Sequence, residues 1–86
     1  MILWPEWWSW EIEISPHMLK RMSDRGFTEV DLRVMMESAT GYHEDEEPGR
    51  WVVETRHDSR PWEIIVEPDR EDRVLVVVTA FAVEQP

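Results

Sequence analysis

The chain has 86 residues, 42% of them hydrophobic and 33% charged, with no cysteine and a formal net charge of −10. That length suits one domain with a single modest core, and the lack of cysteine excludes disulfides, thiolate catalysis and zinc–thiolate sites. Nine Lys and Arg against nineteen Asp and Glu weigh against a nucleic-acid binder, because phosphate contacts supply most non-specific affinity.

The longest apolar run, Val74 to Val78 with Ala80 to Val83 beyond Thr79, is too short for a membrane span. The N-terminal stretch carries Glu6, Glu11 and Glu13 and lacks the basic start of a signal peptide. A soluble, cytoplasmic protein with no membrane partner is the expectation. Charge is unevenly spread: Glu44 to Glu47 form an acidic run, whereas Lys20, Arg21 and Arg25 face only Asp24 between His17 and Gly26.

Residues 1–10 hold four of the six tryptophans, and the segment 1–7 can fray, lie over the core or meet a partner. Packing within the chain is the simpler outcome, since an exposed indole is costly. From Trp8 to Ile14, apolar Trp8, Trp10, Ile12 and Ile14 alternate with Ser9, Glu11 and Glu13, which predicts a strand with one buried face.

Ser15-Pro16 is a helix start, with Ser able to cap and Pro tolerated at the first helical position. The helix runs to Gly26 with Met18, Leu19 and Met22 as its stripe. Thr28 opens a second helix with Asp31 as a capping-box partner. Its main stripe is Val30, Val34 and Met35, widened by Leu32 and Met36, and Gly41 ends it.

Tyr42-His43 can begin a short strand before the acidic run, and Pro48-Gly49 signals a turn. Arg50 to His57 is a strand, Asp58-Ser59-Arg60 its turn and Pro61 to Glu67 the return. Pro68 to Asp72 turns again, and Val74 to Val83 is the most strongly β segment. The order β-α-α-β-β-β predicts an α+β fold, an antiparallel sheet with an αα-hairpin packed on one face.

A three-residue turn at Asp58 sets His57 opposite Pro61, Arg56 opposite Trp62, Thr55 opposite Glu63 and Glu54 opposite Ile64. The last hairpin sets Glu67 opposite Val74 and Val66 opposite Leu75. Strand alternation then gives a core face of Trp62, Ile64, Val66, Leu75, Val77 and Phe81. The open face carries Trp51, Val53, Thr55, His57, Glu63, Ile65, Glu67, Val74, Val76 and Val78, and a one-residue slip would reverse the faces. Arg56 points toward the helices in this register, beside Glu54.

His57 beside Glu63 suits general acid–base work, with the carboxylate orienting the imidazole. Arg56 and Arg60 could clamp a phosphate and stabilise transition-state charge, and Trp51 could stack a base. From spacing alone the simpler reading of the same residues is the wet face of a sheet. His17, Arg21 and Arg25 recur every four residues along the first helix, either a cationic stripe for phosphate or a solvated face. The acidic run lacks the spacing of a calcium loop. Nothing indicates a metal or cofactor.

The two-helix segment SPHMLKRMSDRGFTEVDLRVMMESA, the hairpin WVVETRHDSRPWEIIVEPD and the closing strand VLVVVTAF, within roughly Ser15 to Val83, resemble a small uncharacterised-domain family within the RelE/ParE/BrnT-type toxin superfamily. The resemblance implies a RelE-like βααβββ fold and metal-independent RNA cleavage within a toxin–antitoxin pair. Carried over, it implies His17 and Arg21 on the helix and Arg56 and His57 on the hairpin as functional positions. RelE-like ribonucleases are typically basic, whereas this chain is acidic. Against that charge, the resemblance and the hairpin residues together give the expectation of a toxin-like domain acting on RNA, with His57, Glu63 and Arg56 catalytic and Arg60, Arg21, His17 and Trp51 on substrate. Its partners would be an RNA substrate and a cognate antitoxin. The alternative is a non-catalytic protein-interaction module using the Trp-rich N-terminus and a sheet edge, with a homodimer as one form of partner.

Overall fold

A computed structural model describes residues 3–84. Its regular elements are β1 (Glu11–Ile14), α1 (Pro16–Arg25), α2 (Glu29–Glu37), β2 (Gly41–Glu44), β3 (Trp51–His57), β4 (Arg60–Asp69) and β5 (Val74–Ala82). The strands form one sheet in the order β1-β5-β4-β3-β2, with both helices on one face. Tyr42 and its neighbours do form a strand, β2, at the edge beside β3.

Most of the helix punctuation acts as the sequence implies. Ser15 Oγ accepts from the Met18 amide at 3.0 Å, and Gly26 closes α1 at φ 72°, where a Cβ would be strained. Thr28 and Asp31 form a reciprocal capping box on α2. Which helix face is buried differs from the expectation. Leu32, Met35 and Met36 enter the core, while Val30 and Val34 stay 69% and 54% exposed and Leu19 54%. Periodicity alone allowed either face of α2. The sheet selects the i, i+3, i+4 set anchored by Leu32, which shields more apolar surface than two valines. α2 also stops at Glu37, four residues before Gly41, because Thr40 already donates its amide to Glu54 O at 2.8 Å.

The N-terminal segment departs from the predicted Trp8–Ile14 strand. Glu6–Ser9 is a 3₁₀ turn, and the paired strand is confined to Glu11–Ile14. That turn drives Trp7 into the core at 2% exposure and stacks Trp8 on Trp4 at 4.3 Å between ring centroids. Packing of large aromatic surface outweighs two-residue alternation here. Met1 and Ile2, the start of the Trp-rich stretch, lie outside the described residues.

The sheet is mixed, which corrects the all-antiparallel expectation. β1 pairs with β5 in parallel, Ile12 opposite Leu75 and Ile14 opposite Val77. Between them the αα-hairpin carries the chain across one face to β2 at the far edge, and the three later strands return by hairpins. β1 ends early, and α1 covers the carbonyls of β5 that it leaves unpaired. Ser15 donates its amide to Val77 O and its hydroxyl to Val78 O, and Arg21 Nε donates to Ala80 O at 2.7 Å. Buried carbonyls need such partners.

Two turns decide the registers. Asp58 and Ser59 both have positive φ, 51° and 65°, the geometry of a two-residue hairpin turn. His57 therefore pairs with Arg60, Thr55 with Trp62 and Glu54 with Glu63, one residue away from the expected register. Pro68 and Asp69 stay in β4, where Asp69 Oδ1 accepts the amides of Glu71 and Asp72 and folds the turn. Val66 then pairs with Val77, two residues from expectation, so its face is kept. A register shift between Ile65 and Val66 rotates the rest of β5, pairing Glu63 with Phe81 and moving Phe81 off the core face.

Candidate functional site

The one-residue slip at Asp58-Ser59 redistributes the predicted site across the sheet. Cross-strand partners share a face. Val53 and Thr55, paired with the core residues Ile64 and Trp62, lie beneath the helices. Both are buried, and the Thr55 hydroxyl donates to Met35 O of α2. His57 follows on that side, 20% exposed in its side chain, with its ring 5.8 Å from Phe27 and edge-on to Trp62 at 5.5 Å. Glu63 faces the opposite, helix-free side between Glu54 and Phe81. The expected pairing of His57 with Glu63 is thus corrected, because the sheet itself separates them. The carboxylate near His57 Nε2 is Asp58, with Oδ2 at 3.5 Å.

The arginines divide in the same way. Arg56 lies on the helix-free side and is exposed rather than turned toward the helices. Its Nη2 donates to Ser59 O at 2.7 Å, bracing the hairpin turn. Arg60 is exposed and directly opposite His57. Arg21 spends its Nε on Ala80 O, a structural task that ties α1 to β5. His17 is exposed one turn earlier on α1. Trp51 is half-buried among aromatic rings, 5.7 Å from both Trp7 and Tyr42, so that its surface serves the core cluster.

Arg56 and Glu63 do come together, with Glu54 and Pro61, around an open cleft of about 320 Å³ that His57 does not line. A larger cleft of about 590 Å³ went unsuspected in the sequence. It lies between the Trp8–Ile12 segment and α2, with Trp8, Trp10, Met36 and Leu75 as apolar walls and Arg33 and Glu37 beside them. The Trp10 indole N–H there is buried without an acceptor. Among the described residues, no three His, Asp or Glu side chains converge as metal ligands would, and no helix is long and apolar enough to cross a membrane.

The helix-free face has its own composition. Val52 and Ile65, cross-strand partners on this face, are 5% and 8% exposed although neither lies under a helix. Along β5 the outward residues Val74, Val76, Val78 and Phe81 are half-buried, each keeping part of its surface exposed. Carboxylates flank them on both neighbouring strands. Glu11 pairs with Val74 and Glu13 with Val76 from β1, while Glu67 pairs with Val76 and Glu63 with Phe81 from β4. Alternation found Val74, Val76, Val78, Ile65, Glu63 and Glu67 on this side. It placed Phe81 in the core for want of any signal of the bulge.

A family model described as a domain of unknown function (DUF4258) matches residues 14–82, and the chain belongs to that family. The match begins at the last residue of β1 and ends with β5, leaving the Trp-rich segment outside it. No curated protein and no solved structure matches the chain.

Proposed function

We propose that this member of the DUF4258 family is a non-catalytic protein-interaction module whose working surface is the helix-free face of its sheet. The observation that carries this reading is the line of half-buried, partly exposed Val74, Val76, Val78 and Phe81 along an interior strand, with no other element among the described residues across it. Apolar surface left contiguous and rimmed by polar groups is the usual mark of an interaction site. The Trp-rich segment, by contrast, is engaged in the core through Trp7 and its neighbours. The test is affinity capture from cells with wild-type protein, a Val76→Lys/Val78→Lys variant and Trp4→Ala, each checked for folding by circular dichroism. A partner held by wild type and by Trp4→Ala but lost from the β5 variant supports the reading. Capture indifferent to the β5 residues would sink it.

The likeness to RelE-type toxins supports a second reading, a metal-independent endoribonuclease in a toxin–antitoxin pair. What favours it is the cross-strand pairing of His57 with Arg60, which sets imidazole and guanidinium on one side of the hairpin end. In this reading His57 moves the proton, Asp58 orients it and Arg60 meets the phosphate. Growth arrest and RNA decay on induction, abolished in a folded His57→Ala variant, are the expected results. A wild-type protein that neither slows growth nor cuts RNA rules this reading out.

A further inference from the structure

Building on the interaction reading, we infer that the partner on the helix-free face is a basic amphipathic helix, laid along β5 between two carboxylate rails. The sheet register supplies the pattern. Three of the four outward apolar positions along β5 have an acidic neighbour in register, Glu11 beside Val74, Glu13 and Glu67 on either side of Val76, and Glu63 beside Phe81, while Val78 sits at the bulge between them. The rails stand on β1 and β4, two strand spacings apart, or about 10 Å. An α-helix is about 10 Å across. A helix whose apolar stripe is bordered by Lys or Arg would therefore set that stripe on the valines and its cations against both rails.

The charges point the same way. Glu63 stands directly opposite Glu54, a like-charge cross-strand pair that destabilises a sheet when unopposed. Among the described residues, Glu11, Glu13 and Glu63 enter no ion pair, whereas Glu67 is met by Arg50 at 3.4 Å and Glu54 by His43 at 3.6 Å. A chain of net charge −10 attracts cationic segments at long range. The same rails weigh against a second copy on this face, which would set carboxylates against carboxylates, and against a nucleic acid.

The probe is a fluorescently labelled 18-residue Lys/Leu amphipathic helix, compared by anisotropy with its Glu/Leu counterpart. Three charge or surface variants decide the outcome: Glu13→Gln/Glu63→Gln on the rails, Glu46→Gln/Glu47→Gln in the β2–β3 loop as a charge-matched control, and Val76→Ser/Val78→Ser on the stripe. The expected result is binding of the Lys/Leu peptide that weakens with salt. It should weaken about tenfold in the rail variant and less than about twofold in the loop control. Equal losses in rail and loop variants would mean attraction by net charge alone and would overturn the proposal. If both peptides bind alike and only the stripe variant abolishes binding, the face docks a partner but not a basic one. If none of the face variants matters, the interaction reading fails with it.

Discussion

Single side chains join the helices to the sheet in this domain. Ser15 is the clearest case, because one hydroxyl serves two backbones. It accepts from the Met18 amide to start α1 and donates to Val78 O, beyond the end of β1. Ser15→Ala removes both bonds and leaves a part-buried carbonyl unmet. It should cost about 1–2 kcal/mol, lowering the melting temperature by roughly 4–8 °C for each kcal/mol in a domain of this size. Urea or thermal denaturation measures it, and a loss near zero would mean that water replaces the hydroxyl at both bonds. Arg21 acts on the same strand through Ala80 O, so a residue that reads in sequence as a phosphate ligand is an edge guard in the fold. Its four-residue spacing from His17 and Arg25 was legible, but its partner fifty-nine positions away was not.

At the scale of elements, local chemistry sets where helices begin, and long-range packing sets which way they face. The Thr28 amide donates to Asp31 Oδ2 at 2.8 Å, and this bond holds the Asp31 carboxyl below its ordinary pKa against a smaller opposing effect of desolvation. A carboxyl with a depressed folded pKa adds stability above its unfolded value and loses it as pH falls through the folded one. The stability gap between wild type and Asp31→Asn should therefore be open at neutral pH and close on acidification through the lower end of the carboxylate range. Thermal melts of both proteins across that interval check the sign, and a gap independent of pH would refute it. Nothing comparable marks which stripe of α2 is buried. Val30 and Val34 are as apolar as their neighbours, and the sheet chose Leu32, Met35 and Met36.

For the whole molecule the dominant quantity is the net charge of −10 on 86 residues. Self-repulsion of that size destabilises the compact state and is screened by salt, with a Debye length of about 10 Å at 0.1 M. Raising sodium chloride from 10 to 300 mM should raise the melting temperature by a few degrees. A fall would show that the exposed pairs Arg33–Glu29 and Arg73–Glu6 outweigh the general repulsion. Part of the same charge sits on the face that the helices leave open, where Glu11, Glu13, Glu63 and Glu67 flank β5.

Sequence by itself determined what depends on near neighbours. The Ser15 and Thr28 caps, the Gly26 stop, the burial of Ile64, Val66, Leu75 and Val77, and the α+β class all follow from local propensity and periodicity. Tertiary structure decided what depends on counting residues through turns and on distant partners. Asp58-Ser59 turns in two residues rather than three, and a bulge near Ile65 rotates the end of β5. Those two details put His57 and Glu63 on opposite faces and brought Phe81 out beside Glu63. Strand side chains alternate with period two, so a shift of one residue reverses a face while leaving the local pattern unchanged. The parallel seat of β1 against β5 is likewise a matter of where the αα-hairpin carries the chain, which no local pattern records.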